Sequence, residues 1–340
     1  MKKLFVILLS FSLLVLTGCS SSADNKSNTS GTSSASDGKV YTLKLGNNNS
    51  SQSITNAAFL NYAKAVEKQT NGRLKIDVYP GNQLGTNEEM VQEVSLGSLD
   101  MVSVGVSLIG SVGIDEANVM KVPFLFDNVG QVKKFINEQD GKIIYDKAAS
   151  KNIKLLTTSI ERMPREMMSK TPILTPEDLK GKLVRGGDAA TNQALKVLKA
   201  VPTSVALKEA YTAFQQGVVD VVELPMDYLY DLSLYEVGKN VALTNHIYDV
   251  QLLAMSSKSL ANLPQDLQKA LTDNIASLVE ENNSKMKSSY DDYVNKLKDK
   301  GVKFNEIDRS KFKAIVMQAY PELEKQWPSI KPILEKLLKK

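Results

Sequence analysis

Cysteine and histidine are nearly missing from this 340-residue sequence, which holds one of each, Cys19 and His246. A lone cysteine excludes a disulfide framework and a cysteine-based metal cluster. A lone histidine excludes a His-rich zinc site within one chain. There is no Gly-rich phosphate loop, no Gly-x-Ser-x-Gly elbow and no His-Glu-x-x-His pair. No Ser/His/Asp set gathers around His246, which reads as a structural hydrogen-bonder. Catalytic residues, cofactors and metals are therefore not expected. A strong surplus of either charge is lacking too: Lys plus Arg is 42, Asp plus Glu is 38, and the net is +4. Two of those cations, Lys2 and Lys3, sit in a segment read below as removed, so nothing in the charge suggests nucleic acid. What remains is an ordinary globular composition, 42% hydrophobic and 24% charged, which rules out wholesale disorder and collagen-like repeats.

Residues 1–19 read MKKLFVILLSFSLLVLTGC. The basic start precedes an apolar run of roughly a dozen residues, shorter than the roughly 20 a membrane span needs. Leu16-Thr17-Gly18-Cys19 resembles the lipobox of bacterial lipoproteins. The expectation is a signal peptide at 1–18 and a lipidated Cys19, diacylglycerol and palmitate holding the chain on the outer face of a bacterial membrane. Residues 19–39 are rich in Ser, Asn, Thr and Gly, with almost nothing to bury. They read as a flexible tether with an r.m.s. reach of about 25 Å.

From Tyr41 onward short β-like runs alternate with helical patterns, which argues α/β architecture. Strands are expected at 41–46, 73–80, 99–104 and 182–185. Helices are expected at 55–69 (stripe Ala58, Tyr62, Ala65, Val66), at 88–96 capped by Asn87, from Thr175-Pro176, and from Asp188 through Leu198. Residues 89–102 and 209–222 repeat one pattern: amphipathic helix, glycine, two residues, aspartate, strand. That echo suggests two similar lobes presenting strand ends to a shared cleft, where ligands of open α/β sheets bind. From Pro264 to about Lys300 the pattern is nearly unbroken helix, about 50 Å, long enough to run across both lobes.

Two arginines stand out. Arg185 ends a strand, followed by Gly186-Gly187 and the helix at Asp188, so its planar fork could meet a carboxylate. The plainer alternative is an exposed arginine paired with a surface acid, worth roughly 0–1 kcal/mol. Arg165 is a weaker candidate of the same kind. Glu223 ends the second echoed strand, as a cleft residue or as a buried acid satisfied by backbone amides. Met163, Met167 and Met168 read as core at a crossover between lobes.

The segments YPGNQLG (79–85), LGSLDM (96–101), VPFLF (122–126), TPEDLKGKLVR (175–185) and TNHIY (244–248) stand in one order along the chain. Together they resemble the DctP-like solute-binding proteins of TRAP (tripartite ATP-independent periplasmic) transporters, over essentially everything from residue 40. The resemblance implies a two-lobed, periplasmic-binding-protein-like (type II) α/β fold with hinges and a long helix spanning both lobes. Lobe I would be 40–162, 250–289 and 317–340; lobe II would be 163–249 and 290–316. It implies that Arg185 is the main carboxylate-binding residue, assisted by Arg165. The candidate ligand-binding set is Arg185, Arg165, Glu223, Asp188, Leu207, Leu224 and Asn48. Leu224 stands where the family usually has asparagine, Val221 where it has glycine and Leu207 where phenylalanine is common, which makes the cleft less polar and less aromatic. The expected function is capture of a small organic acid and its delivery to TRAP membrane subunits by a monomeric, lipid-anchored, extracytoplasmic protein that is not an enzyme. Ligand sensing for a membrane receptor is the alternative on the same scaffold.

Overall fold

Alternation of buried Leu43 and Leu45 with exposed Thr42 and Lys44 makes Tyr41–Asn47 a strand, β1. The computed structural model describes residues 38–339, so the signal peptide, Cys19 and the tether as far as residue 37 lie outside the described residues. After β1 come α1 (Ile54–Gln69), β2 (Leu74–Tyr79), α2 (Asn87–Leu96), β3 (Met101–Gly105), α3 (Val129–Asn137), α4 (Gln139–Ser150) and β4 (Ile153–Glu161). The chain then crosses to β5 (Arg165–Ser169), β6 (Leu183–Gly186), α5 (Ala189–Val197), β7 (Val201–Ser204), α6 (Ala210–Gln216), β8 (Val221–Pro225), α7 (Met226–Asp231) and β9 (Asn240–Ile247). It returns through β10 (Val250–Ser256), α8 (Ser257–Ala261), α9 (Gln265–Asp273), α10 (Ile275–Asp299) and β11 (Lys303–Asn305), and ends in α11 (Arg309–Val316), α12 (Tyr320–Gln326) and α13 (Lys331–Leu338).

Two sheets result, in the order β2-β1-β3-β10-β4 and β11-β9-β5-β8-β6-β7, each the floor of one lobe. Within the first, β1 runs parallel to β2 and β3, while β10 is antiparallel to β3 and β4. Within the second, β6 runs parallel to β7 and β8, while β5 is antiparallel to β8 and β9. Only residues 162–164 and 248–249 separate β4 from β5 and β9 from β10. Such short crossovers hold the carboxyl edge of the first sheet against the corresponding edge of the second.

The echoed units use one device twice. Gly97 and Gly217 end α2 and α6 in the left-handed region, at φ 87° and 77°. Asp100 then accepts the Lys44 amide at 2.9 Å, and Asp220 accepts the Leu183 amide at 2.9 Å. Each aspartate thus ties the turn before its strand to the neighbouring parallel strand. Residues at the strand ends are placed by that lock.

Three local expectations shift. The cap of α2 is Thr86, not Asn87: Thr86 Oγ1 accepts the Glu89 amide and Glu89 returns the bond to the Thr86 amide at 2.7 Å. The buried stripe of α1 runs through Phe59 and Ala63 rather than Ala65. The long helix is interrupted at Asn274, whose Nδ2 bonds Gln69 and the Ala270 carbonyl, so α10 itself is about 37 Å long. It still joins the lobes. Its Leu278 packs with α1 and the first sheet, while Met286, Tyr293 and Leu297 pack with α7 and the second. In that second core Phe214 is fully buried, and Gly238 lies so close that a Cβ would meet the ring at 2.7 Å. Truncating Phe214 to alanine would cost about 3–5 kcal/mol.

Candidate functional site

Strand direction gathers the site. β6 and β8 are parallel and end at Gly186 and Pro225; β5 runs the other way and begins at Arg165. Arg165, Glu223 and Arg185 therefore arrive at one edge of the second sheet, on three adjacent strands. All three are buried. Arg165 grips both carboxylate oxygens of Glu223 through Nε and NH2, the latter at 2.6 Å from Oε2, and NH2 also donates to the Glu223 carbonyl at 3.1 Å. His246 Nε2 completes the acid's shell at 2.9 Å, while its Nδ1 meets Thr244 Oγ1 at 2.7 Å. Burial alone would push the Glu223 carboxyl up, but the Arg165 charge and the hydrogen bonds from Arg165 and His246 hold it well below the usual range. Burial likewise works against the Arg165 charge, and Glu223 more than offsets it, leaving the guanidinium harder to deprotonate than usual.

Arg185 is different. Its Nε donates to the Val205 carbonyl at 3.2 Å, and it takes part in no ion pair among the described residues. Burial lowers its pKa; Glu223 and, more weakly, Asp188 oppose that and the Arg165 charge adds to it. An unneutralised guanidinium held out of water is costly unless a ligand brings the counter-charge.

The facing edge of the first sheet is neutral and amide-rich. Asn47 ends β1, Asn48 and Asn49 follow it, and Gln251 is the second residue of β10. Gln251 Nε2 donates to Asn48 Oδ1 at 3.1 Å and to Asn49 Oδ1 at 3.0 Å; Asn49 Nδ2 donates to Asn47 Oδ1 at 3.1 Å. The two edges touch where the Tyr228 hydroxyl of α7 donates to the Asn48 carbonyl at 3.1 Å. Two cavities open between the lobes. One of about 400 Å³ is lined by Asn48, Asn82, Thr86, Glu89, Leu207 and Tyr228 among others. The other, of about 200 Å³, includes Ser107, Lys121, Gly187 and Asp188. Arg185 lines neither cavity itself but stands next to residues of both. Its NH1 lies 3.4 Å from where a Cβ on Gly187 would stand, and Val205, which it bonds, precedes Ala206 and Leu207 of the larger cavity.

The expected residues separate into groups. Arg185, Arg165 and Glu223 come together; Asn48 and Leu207 line the larger cavity; Asp188 lines the smaller one and caps α5, accepting the Thr191 amide at 3.0 Å. Leu224 lies in the apolar cluster with Phe214, Met226 and Tyr293, and Met163 and Met168 share that cluster, while Met167 belongs to another. Glu223 is satisfied by side chains, not by backbone amides. His246 is a hydrogen-bonder, as its isolation suggested.

Sequence reasoning missed the clamp between the crossovers. Asp249, on the second, accepts from Lys121 Nζ at 3.2 Å and from Arg162 NH1, on the first, at 3.4 Å. The Arg162 guanidinium lies 5.4 Å from the centre of the Tyr228 ring. Their signal is only a charged residue at each end of the inserted lobe. Among the described residues no group of three or more His, Cys, Asp or Glu could hold a metal ion.

The model of the family described as bacterial extracellular solute-binding protein, family 7, matches residues 45–326. The C4-dicarboxylate-binding periplasmic protein DctP of Rhodobacter capsulatus is 26% identical over 267 residues, 77% of this chain and 80% of that protein. The sialic acid-binding periplasmic protein SiaP of Vibrio cholerae is 26% identical over 305 residues, 89% of this chain and 94% of that protein. The crystal structure of a TRAP periplasmic solute binding protein from Sulfitobacter sp. NAS-14.1, with bound β-D-galacturonate, superposes with a TM-score of 0.82 at 22% identity, over 86% of this chain and 98% of that one.

Proposed function

The chain belongs to the bacterial extracellular solute-binding proteins of family 7, binding proteins and not enzymes, and from that premise we propose that it captures a small carboxylate between its lobes and delivers it to the membrane subunits of a TRAP transporter. One observation carries the ligand class: Arg185 is buried at the sheet edge and is in no ion pair among the described residues. A ligand carboxylate supplies the missing charge and can take two parallel N–H···O bonds from one guanidinium. Arg165 acts through its neighbourhood, since its own donors are committed to Glu223. The names of the relatives, which concern dicarboxylates, sialic acid and galacturonate, agree with an acid ligand.

Capture proceeds by closure of lobe II (163–249 and 290–316) on lobe I (40–162, 250–289 and 317–340), pivoting at the two crossovers. A ligand favours the closed form only by as much as it binds that form better. Arg185 and Asn48 stand on opposite edges, so a ligand touching both has that preference. The protein works as a monomer, held outside the cell membrane by lipid on Cys19.

Thermal-shift screening against mono- and dicarboxylates, sugar acids and neutral controls tests the reading. A carboxylate at a hundred times its Kd stabilises the protein by about 2.7 kcal/mol, and this rise disappears in Arg185→Ala. A rise produced by uncharged compounds alone would defeat the assignment.

A further inference from the structure

The donors of Arg185 point two ways. Nε is spent on the Val205 carbonyl, beside Ala206 and Leu207 of the larger cavity. NH1 has no acceptor among the described residues and stands over Gly187, which lines the smaller cavity. A Cβ on Gly187 would be 3.4 Å from that nitrogen, 3.6 Å from Arg165 NH2 and 4.0 Å from Glu223 Oε2. The point is open space between two guanidiniums, and it is open because residue 187 has no side chain. Gly187 is exposed and its φ lies outside the left-handed region, so the backbone makes no demand for glycine there. A carboxylate oxygen approaching NH1 from this side to about 2.9 Å would overlap a methyl group at that point.

The opposite wall of the smaller cavity comes from the first lobe. Ser107 is 5% exposed, and its hydroxyl has no hydrogen-bond partner among the described residues. A buried hydroxyl left unpaired is costly, and a ligand oxygen can accept from it. Lys121, 8% exposed, reaches Asp249 Oδ2 at 3.2 Å, but the same oxygen also meets Arg162 at 3.4 Å, so two cations share one acid. Two acids stand in this cavity as well. Glu88 is exposed, so water and salt screen it. Asp188 spends its oxygens on the Thr191 amide at 3.0 Å and the Thr191 hydroxyl at 3.2 Å. We propose that the ligand carboxylate sits in the smaller cavity above Gly187, held by Arg185 NH1 from lobe II and by Ser107 and Lys121 from lobe I. Gly187 admits the carboxylate, and the seat is complete only when the lobes meet.

The inference rests on the carboxylate-binding reading above, and one set of variants separates the two. The full chain is titrated calorimetrically with succinate, D-glucuronate and D-gluconate, with glucitol as the neutral control. Binding of glucitol alone, or of no member, overturns both readings. With the acid that binds the parent most tightly, Gly187→Ala should weaken binding at least tenfold. Its unliganded Tm should stay within a few degrees of the parent, because the new Cβ meets only ordinary contacts. Ser107→Ala should cost about tenfold in affinity and Lys121→Met about thirtyfold. Lys121→Met leaves Asp249 paired with Arg162, and urea denaturation checks that it stays folded. If Gly187→Ala and Ser107→Ala bind the acid as tightly as the parent while Arg185→Ala does not, the seat lies elsewhere and the carboxylate reading stands. A loss in Gly187→Ala with none in Ser107→Ala or Lys121→Met removes the first lobe from the seat.

Discussion

Arg165 and Arg185 both come within 3.6 Å of one point above Gly187, yet of the two only Arg165 is in an ion pair among the described residues. Two adjacent guanidiniums repel, and one internal acid cannot neutralise both. Glu223 fixes Arg165 as part of the wall and leaves Arg185 as the group a ligand must satisfy. Strand order puts β8 and its acid between the two arginines, and register separates them: Arg165 stands opposite Pro225, on the same side of the strand as Glu223, whereas Arg185 stands opposite Val222.

Arg185→Ala should therefore separate binding from stability. Losing a desolvated charge pair with the ligand costs about 2–5 kcal/mol, a thirtyfold or greater loss of affinity. The unliganded protein loses one hydrogen bond to Val205, about 1 kcal/mol, and is relieved of an unneutralised buried charge. Its melting temperature should stay within a few degrees of the parent. Arg185→Lys keeps the charge and loses the fork, and should fall between the two in affinity. A large fall in the unliganded Tm of Arg185→Ala would show that the arginine holds the fold together.

Glu223→Gln should do the reverse. Gln preserves the shape but leaves Arg165 charged and buried without a counter-ion, a loss of about 3–5 kcal/mol by urea denaturation. The parent shows the same dependence on acidification. The folded pKa of Glu223 is held well below its ordinary 4.5, so its contribution is complete above that value and disappears as pH falls through the lower, folded pKa. Replacing both partners, Arg165→Met with Glu223→Leu, should recover part of the loss. A double variant as unstable as the sum of its singles would mean that the pair is not coupled.

How much of this was readable beforehand depends on how local each signal is. The caps at Asp188 and Thr175, the glycine ends at Gly97 and Gly217 and the strand-end position of Arg185 are all set within a few residues. The sequence shows them. The break at Asn274 has no proline or glycine to announce it; it depends on Gln69, which is 205 positions away. The Arg162–Asp249 contact joins residues 87 apart and exists only because a whole lobe is inserted between them. The partners of Glu223 were unreadable for the same reason: the register of β5 and β6 against β8 decides that Arg165 and not Arg185 receives it.

Glu166 offers a pH test independent of the ligand. On β5 it caps the bulge of β9, where its Oε2 accepts the Asn245 amide at 2.9 Å and the Thr244 hydroxyl at 3.3 Å. Burial pushes its carboxyl from 4.5 up to about 8, against these bonds and the nearby Arg309. Between those values the folded chain holds a proton that the unfolded chain has released, so stability falls as pH rises across the window. Glu166→Gln keeps the acceptor and removes the titration. Thermal melts from pH 5 to 8.5 should show the parent losing more Tm than this variant toward the alkaline end; equal slopes would mean that Glu166 is already ionised at pH 5.

Tyr228→Phe probes closure itself. The hydroxyl joins α7 of one lobe to the Asn48 carbonyl of the other at 3.1 Å, and the ring keeps its place beside Arg162 in either residue. The variant therefore removes one bond between the lobes and little else. A bond of about 0.5–1.5 kcal/mol present only when the lobes meet shifts the balance toward separation by about 2–12-fold. Affinity for any bound carboxylate should weaken by that factor, with the loss in the dissociation rate, and small-angle scattering of the unliganded variant should show a larger radius of gyration. Because a phenylalanine ring cannot satisfy the Asn48 carbonyl, water must enter the cleft there to replace the bond, so the open form gains at the expense of the closed one. Unchanged affinity and radius would mean that this contact forms in both states and takes no part in closure.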